Sequence, residues 1–259
     1  MRGYEKGAIR VAVALIAVGL LVFAGTLAAS GFNPLEMSRR VSGYEERTER
    51  FDGAFSELHI RDVDANIRVL PSEDGRCSVH YDQTERSTYR VNIVNDALVI
   101  ERERHWLDSF GIFMSAPKLT VYLPRTAYDR IDARTVSGSI QVEELAFESA
   151  ELETTSGGIR LTDVRVASGP AFRTLDGGSS DAGCLRAKTV SGGIRLEGVD
   201  AESLELRTVS GSIKGTLLSG KVFEASSVSG QIRVPESTPG AGVCRAATTS
   251  GSISISIEA

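Results

Sequence analysis

The chain has 259 residues, 41% of them hydrophobic and 24% charged, with a formal net charge of −5. That balance excludes a disordered polyelectrolyte and a nucleic-acid binder recruited by bulk charge. Three cysteines without a C-x-x-C pair (Cys77, Cys184 and Cys244) exclude a disulfide-framed miniprotein, and His59, His80 and His105 lack zinc-ligand spacing.

In chain order, the first element is the uncharged stretch from Val11 to Ala29, which comes after Arg2, Lys6 and Arg10. A helix of that length spans a bilayer, and the basic flank holds the N-terminus in the cytoplasm. Residues 1–32 therefore read as a cytoplasmic N-terminus and one transmembrane helix, with membrane contact over residues 9–32 and the C-terminal body extracytoplasmic. The alternative is a signal peptide cleaved among the small residues from Thr26 to Gly31, with secretion of the remainder. Residues 33–50 read as a polar juxtamembrane spacer.

Residues 51–132 carry strand patterns at Ser56–Ile60, Asn66–Leu70, Cys77–Tyr81, Tyr89–Val94, Ala97–Glu101 and Leu119–Leu123. Turn signals at Pro71–Gly75 and Asn95-Asp96 separate consecutive runs. The segment is expected to be an irregular β cap over one end of a repeat array. The apolar cluster Trp106–Phe113 is expected to pack over the first rung of that array.

Residues 133–259 are governed by a repeat. Ser-Gly-x-Ile opens at Ser137, Ser156, Ser191, Ser210, Ser229 and Ser250, at intervals of 19, 35, 19, 19 and 21 residues. A degraded copy at Asp176-Gly177-Gly178 divides the long interval. A period near 20 means stacked rungs, each a strand, a corner and a strand. The fold class expected is all-β: a β-helix-like β-solenoid, here of about seven rungs. The closing run Ile253–Ile257 alternates and reads as the last rung.

At each corner the glycine (Gly138, Gly157, Gly192, Gly211, Gly230 and Gly251) supplies a positive φ or a close approach. A catalytic serine is singular, whereas these serines recur once per rung, so turn chemistry and stacked hydroxyl hydrogen bonds account for them. The next isoleucines along the chain, Ile140, Ile159, Ile194, Ile213, Ile232 and Ile253, are expected to form one buried column. Four residues after each corner serine, stacking brings Arg160, Arg195, Lys214 and Arg233 into a ladder able to hold an anionic polymer such as a teichoic acid or an acidic glycan. The plainer reading of the same residues is a solvated outer face that discourages edge pairing.

The basic anchor ending in Gly31-Phe32, the segment from His105-Trp106 through Pro117-Lys118-Leu119-Thr120-Val121-Tyr122-Leu123-Pro124, and the Ser-Gly-x-Ile corners resemble a bacterial family. It is the putative-adhesin, β-strand-repeat domain family of unknown function, common in membrane-anchored proteins of Gram-positive bacteria. Many relatives have Thr-Gly-Asp at the corner; here Ser-Gly is succeeded by Ser, Gly or Gln, which removes a row of carboxylates. The resemblance implies a repeat fold and a membrane setting.

The function expected is a noncatalytic, membrane-anchored envelope protein whose solenoid serves adhesion, cell-wall contact or assembly with an envelope protein, without cofactor or metal. A carbohydrate-active enzyme is one alternative, with Asp163, Glu197 and Asp200 as its nearest carboxylates. A sensor that reports envelope state through its single helix is the other.

Overall fold

The computed structural model describes residues 45–84, 87–104, 116–168 and 182–258. The expected anchor over 1–32, the spacer up to residue 44, the cluster at 106–113 and the degraded corner at 176–178 lie outside the described residues. No helix among the described residues is long and apolar enough to cross a membrane.

All regular structure described is β-strand. In chain order the strands are β1 (Glu45–Phe51), β2 (Glu57–Arg61), β3 (Asn66–Pro71), β4 (Cys77–Gln83), β5 (Ser87–Val94), β6 (Ala97–Arg104), β7 (Lys118–Leu123), β8 (Ala127–Arg134), β9 (Ile140–Glu143) and β10 (Ala146–Glu153). They continue as β11 (Ile159–Thr162), β12 (Arg165–Val166), β13 (Cys184–Lys188), β14 (Ile194–Ala201), β15 (Ser203–Thr208), β16 (Ile213–Leu217), β17 (Val222–Ser229), β18 (Ile232–Arg233), β19 (Val243–Ser250) and β20 (Ile253–Ile257).

A rung is one strand in sheet B, a corner, and one strand in sheet A. Period-2 alternation turns every second side chain inward, as in β13, where Leu185 and Ala187 are buried between half-exposed neighbours. Parallel pairing stacks the rungs in the order β6/β7, β2/β3, β8/β9, β10/β11, β13/β14, β15/β16, β19/β20 and β17/β18. These eight rungs span about 34 Å at ~4.8 Å per step, and their inward side chains form one continuous core.

That order departs from sequence order at both ends. The rung expected to be last, β19/β20, lies between β15/β16 and β17/β18. Likewise β2/β3 lies between β6/β7 and β8/β9. Residues 51–132 thus contribute two rungs in full register, and the cap proper is antiparallel: β5 on β6, and β4 on β7 with β1 outside it. The boundary expected at 132/133 falls inside β8, because the regular stacking begins before the Ser-Gly corners do.

The long interval holds no rung of its own among the described residues. β10 pairs directly with both β12 and β13, and β11 with β14. The chain leaves beside Phe147, where Ala167 N–H donates to its carbonyl, and returns beside Glu148, whose carbonyl accepts from Gly183 N–H. The corner that follows the long interval docks directly on the one before it.

Candidate functional site

The Ser-Gly corners bring backbone against backbone. None of the six corner glycines has a positive φ. Closeness explains them: a Cβ on Gly192 would lie 1.8 Å from Gly157 O, and one on Gly211 1.9 Å from Gly192 O. The serine side chains are exposed at all six corners. Their backbone amides make the link between rungs, as where Ser191 N–H donates to Thr155 O and Ser210 N–H to Val190 O, both at 2.8 Å.

The hydroxyl ladder expected of the serines belongs instead to the residues two positions earlier. Thr154, Thr189, Thr208 and Thr248 donate to the glycine carbonyl of the neighbouring corner at 2.8–3.0 Å, and Ser227 does so at 2.9 Å. These side chains point inward, where a backbone carbonyl without a partner would be costly. Their signal in the sequence is Thr-x-Ser-Gly, a wider motif than the Ser-Gly-x-Ile corner by itself.

Ile140, Ile159, Ile194, Ile213 and Ile253 are buried in register, and Ile67 joins the column through β3. Ile232 does not share this fate. It is 42% exposed, because its rung is the outermost among the described residues and stacks there on β20 alone.

On the outer face of sheet A the register runs Arg68, Gln141, Arg160, Arg195, Lys214, Ser254, Arg233. Arg160, Arg195 and Lys214 are direct neighbours. Arg233 is separated from them by Ser254, a consequence of the inserted β20. Arg68 enters the ladder from the other side, and no local pattern in the sequence places β3 beside β9 to reveal it. A groove of about 460 Å³ runs along the ladder, with Ser139, Gly158, Gly193 and Ser212 on its other flank.

Sheet B treats its charges differently. Arg186 pairs with Glu205 at 3.2 Å and Arg245 with Glu224 at 2.8 Å, each across directly registered strands. Arg130 reaches Glu151 at 3.1 Å, and Arg134 reaches both Asp132 and Glu151 at 3.1 Å. Burial alone would raise the Asp132 carboxyl, but Arg61 and Arg134 outweigh it and hold the group below the usual carboxylate range.

A buried polar cluster closes the corner between β2 and β3. Asp62 Oδ1 accepts the amides of Val63, Asp64 and Ala65 at 2.6–2.9 Å. Its Oδ2 accepts Tyr89 Oη at 2.5 Å, and Arg102 joins it to Asp64. Burial, then the Asp62 charge, drives the Tyr89 phenol well above its ordinary value. With both oxygens engaged, Asp62 serves as a lock between the β5–β6 hairpin and the corner.

Asp163, Glu197 and Asp200 are not assembled into an acid–base pair. Glu197 faces Arg195 on sheet A at 3.9 Å, while Asp200, at the sheet B end of β14, accepts Ser219 Oγ at 2.5 Å and lies 3.5 Å from Lys221 Nζ. Asp163 forms the far corner in a left-handed conformation, φ 51°, next to Gly198 at 62°. No group of three or more His, Cys, Asp or Glu side chains among the described residues is placed to hold a metal.

No curated protein matches the sequence. Among solved structures, a putative cell adhesion protein from Clostridium sporogenes ATCC 15579 is similar at TM-score 0.50 and 11% identity, over 83% of this chain and 100% of that one. A putative adhesin from Bacteroides fragilis NCTC 9343 gives TM-score 0.40 and 15% identity over 83% and 97%. A putative lipid binding protein from Parabacteroides distasonis ATCC 8503 gives 0.38 and 14% over 82% and 96%. At such identities the likeness concerns the fold alone. The profile of one family of unknown function, Toastrack DUF4097, matches residues 55–259, a span that takes in both docked N-terminal rungs as well as the Ser-Gly repeats; the chain belongs to the Toastrack DUF4097 family.

Proposed function

We propose that the chain is a noncatalytic, membrane-anchored cell-envelope protein that presents its β-solenoid outside the cytoplasm as a scaffold for adhesion, cell-wall contact or assembly with an envelope protein. The observation that carries this reading is the division of labour between the faces. Sheet B neutralises its own arginines in pairs, whereas sheet A lines up Arg160, Arg195 and Lys214 along an open groove. A flat surface with unspent charge suits an extended partner better than a small substrate held in a pocket. The uncharged stretch at 11–29 supplies the anchor in this reading.

Topology in intact cells tests it. Cys184 is half-buried, while Cys77 and Cys244 are buried, and burial pushes their thiols up to about 12 and about 11, the latter against the opposing pull of Lys221. A Cys184→Ser background therefore suffices. In it, Ser38→Cys or Glu236→Cys is challenged with a membrane-impermeant thiol reagent, and membrane and medium are assayed. Labelled protein in the membrane fraction is expected. Label only in the medium would replace the anchor by a cleaved signal, and unlabelled membrane protein would overturn the scaffold reading.

A further inference from the structure

We infer that the outer face of sheet A is a binding site for a linear oxyanion polymer lying along the stacking axis and held by Arg68, Gln141, Arg160, Arg195 and Lys214. The inference rests on the scaffold reading and names the partner chemistry of that face.

The cation ladder is costly as it stands. Arg160, Arg195 and Lys214 are directly opposite one another on adjacent parallel strands, an arrangement that like charges disfavour. Arg160 and Lys214 have no ion pair among the described residues. Arg195 and Arg68 have only long ones, to Glu197 at 3.9 Å and Glu143 at 4.0 Å, with their side chains about half exposed at 51% and 49%. On sheet B the same stacking places Glu205 against Arg186 and Glu224 against Arg245. Composition cannot explain the contrast, since both faces belong to the same rungs. Sheet B also registers like charges, Arg61 against Arg134 and Lys188 against Arg207, but there Asp132 and Glu205 lie close to the arginines; a cation row without such close counter-ions marks a surface shaped for a ligand.

The groove beside the ladder has a matching shape. Its flank consists of Ser139, Gly158, Gly193 and Ser212. The glycines there are held less strictly than those at the corners: neither has a positive φ, and a Cβ would meet Gly193 O at 3.3 Å or Ser212 O at 3.2 Å, a tight contact that a shift of a few tenths of an ångström relieves. That is far looser than the 1.8 Å contact at Gly192. Small residues on four successive rungs keep a channel open next to the charges.

Rung spacing sets the repeat of the ligand. Arg68 to Lys214 covers four rung intervals, about 19 Å at ~4.8 Å each. Guanidinium forks bind phosphate and carboxylate oxygens alike, so the site selects a chain of oxyanions; where the cation row is interrupted, the Gln141 amide donates one N–H to Glu143 Oε1 and has its second for the ligand.

The test uses the full chain, purified in detergent, against long-chain inorganic polyphosphate and polygalacturonate, with pyrophosphate and neutral dextran as controls. Binding is expected to rise with polymer length, to be absent for dextran, and to weaken at least tenfold in Arg160→Gln/Arg195→Gln/Lys214→Gln. A dependence of log K on log salt near −3, falling to about −1 in the triple variant, corresponds to about 0.7 per cation contacted. The triple variant should melt no lower than the wild type, because it relieves repulsion. Which polymer binds tighter separates a phosphate source from a uronate source. Equal binding by the triple variant, or an equal loss in the sheet B variant Arg130→Gln/Arg245→Gln, would overturn the site in favour of bulk charge or none. Such a failure beside external thiol labelling would leave the scaffold reading standing, whereas unlabelled membrane protein would remove it whatever the polymer result.

Discussion

At Thr189 one hydroxyl does two jobs: it donates to Gly157 O at 2.9 Å and accepts Gly192 N–H at 3.2 Å. Thr135 occupies the same place one corner below the Thr154 corner, yet its Oγ1 has no hydrogen-bond partner. The corner beneath it is the Asp62 lock, whose carboxylate already gathers the local amides. Thr189→Val should therefore cost about 1–3 kcal/mol, since it strands a buried carbonyl and amide, whereas Thr135→Val should be neutral or stabilising. Denaturant midpoints of the two variants decide the point; equal losses would mean that the threonines act through packing alone. Ser191→Ala, at an exposed side chain whose amide makes the contact, should stay within about 0.5 kcal/mol. The repeated Ser-Gly corner was legible in the sequence, but that the inward hydroxyl belongs to the residue two positions before the serine was not. Both flank a turn, and only the corner's backbone path separates them.

Within an element, charge placement obeys the pleat. Along sheet B, Asp132 is buried between Arg61 and Arg134, with its side chain only 8% exposed. Its carboxyl is depressed in the folded chain, and the unfolded chain has the ordinary value near 3.8. A depressed carboxylate contributes stability that is present above the unfolded value and is lost as pH falls through the folded one. Unfolding midpoints should therefore drop on acidification below about pH 4, and Asp132→Asn should be less stable than wild type at neutral pH with a flatter acid limb. An unchanged acid limb would assign that sensitivity to other carboxylates. Alternation along a strand marks which positions face inward and which outward. It did not reveal that sheet B neutralises itself while sheet A does not, because cross-strand partners depend on which rungs touch.

Across the whole molecule, the stack is quasi-one-dimensional, so removing a rung harms its neighbours first. β19/β20 is the seventh of eight rungs in space although it closes the described chain. Cys244, Ala246, Ile253 and Ile255 are all buried in it. Deleting residues 243–259 should strip β17/β18 of its strand partners among the described residues and uncover Leu204, Leu206 and Ile213. Burying each Ile side chain is worth about 1.5–3 kcal/mol, so Ile253 and Ile255 alone put the local loss at about 3–6 kcal/mol. Limited proteolysis is expected to cut within 218–242 and to spare 116–168; a truncated chain as resistant as the full one would show that the rung is dispensable and not interior.

The period, the inward columns and the corner glycines were determined by the sequence itself, because each arises from a local rule: alternation in a strand, backbone contact at a corner, repetition along a rod. The order of the rungs, the place of Arg68 in the ladder and the exposure of Ile232 were decided only by the tertiary structure. Rungs with the same inward columns can dock on one another in more than one order without changing any local pattern. Selection among the orders is non-local: it depends on loops long enough to skip a slot and return, as between β16 and β19, and on an end that must be covered, as β4 and β5 cover β7 and β6.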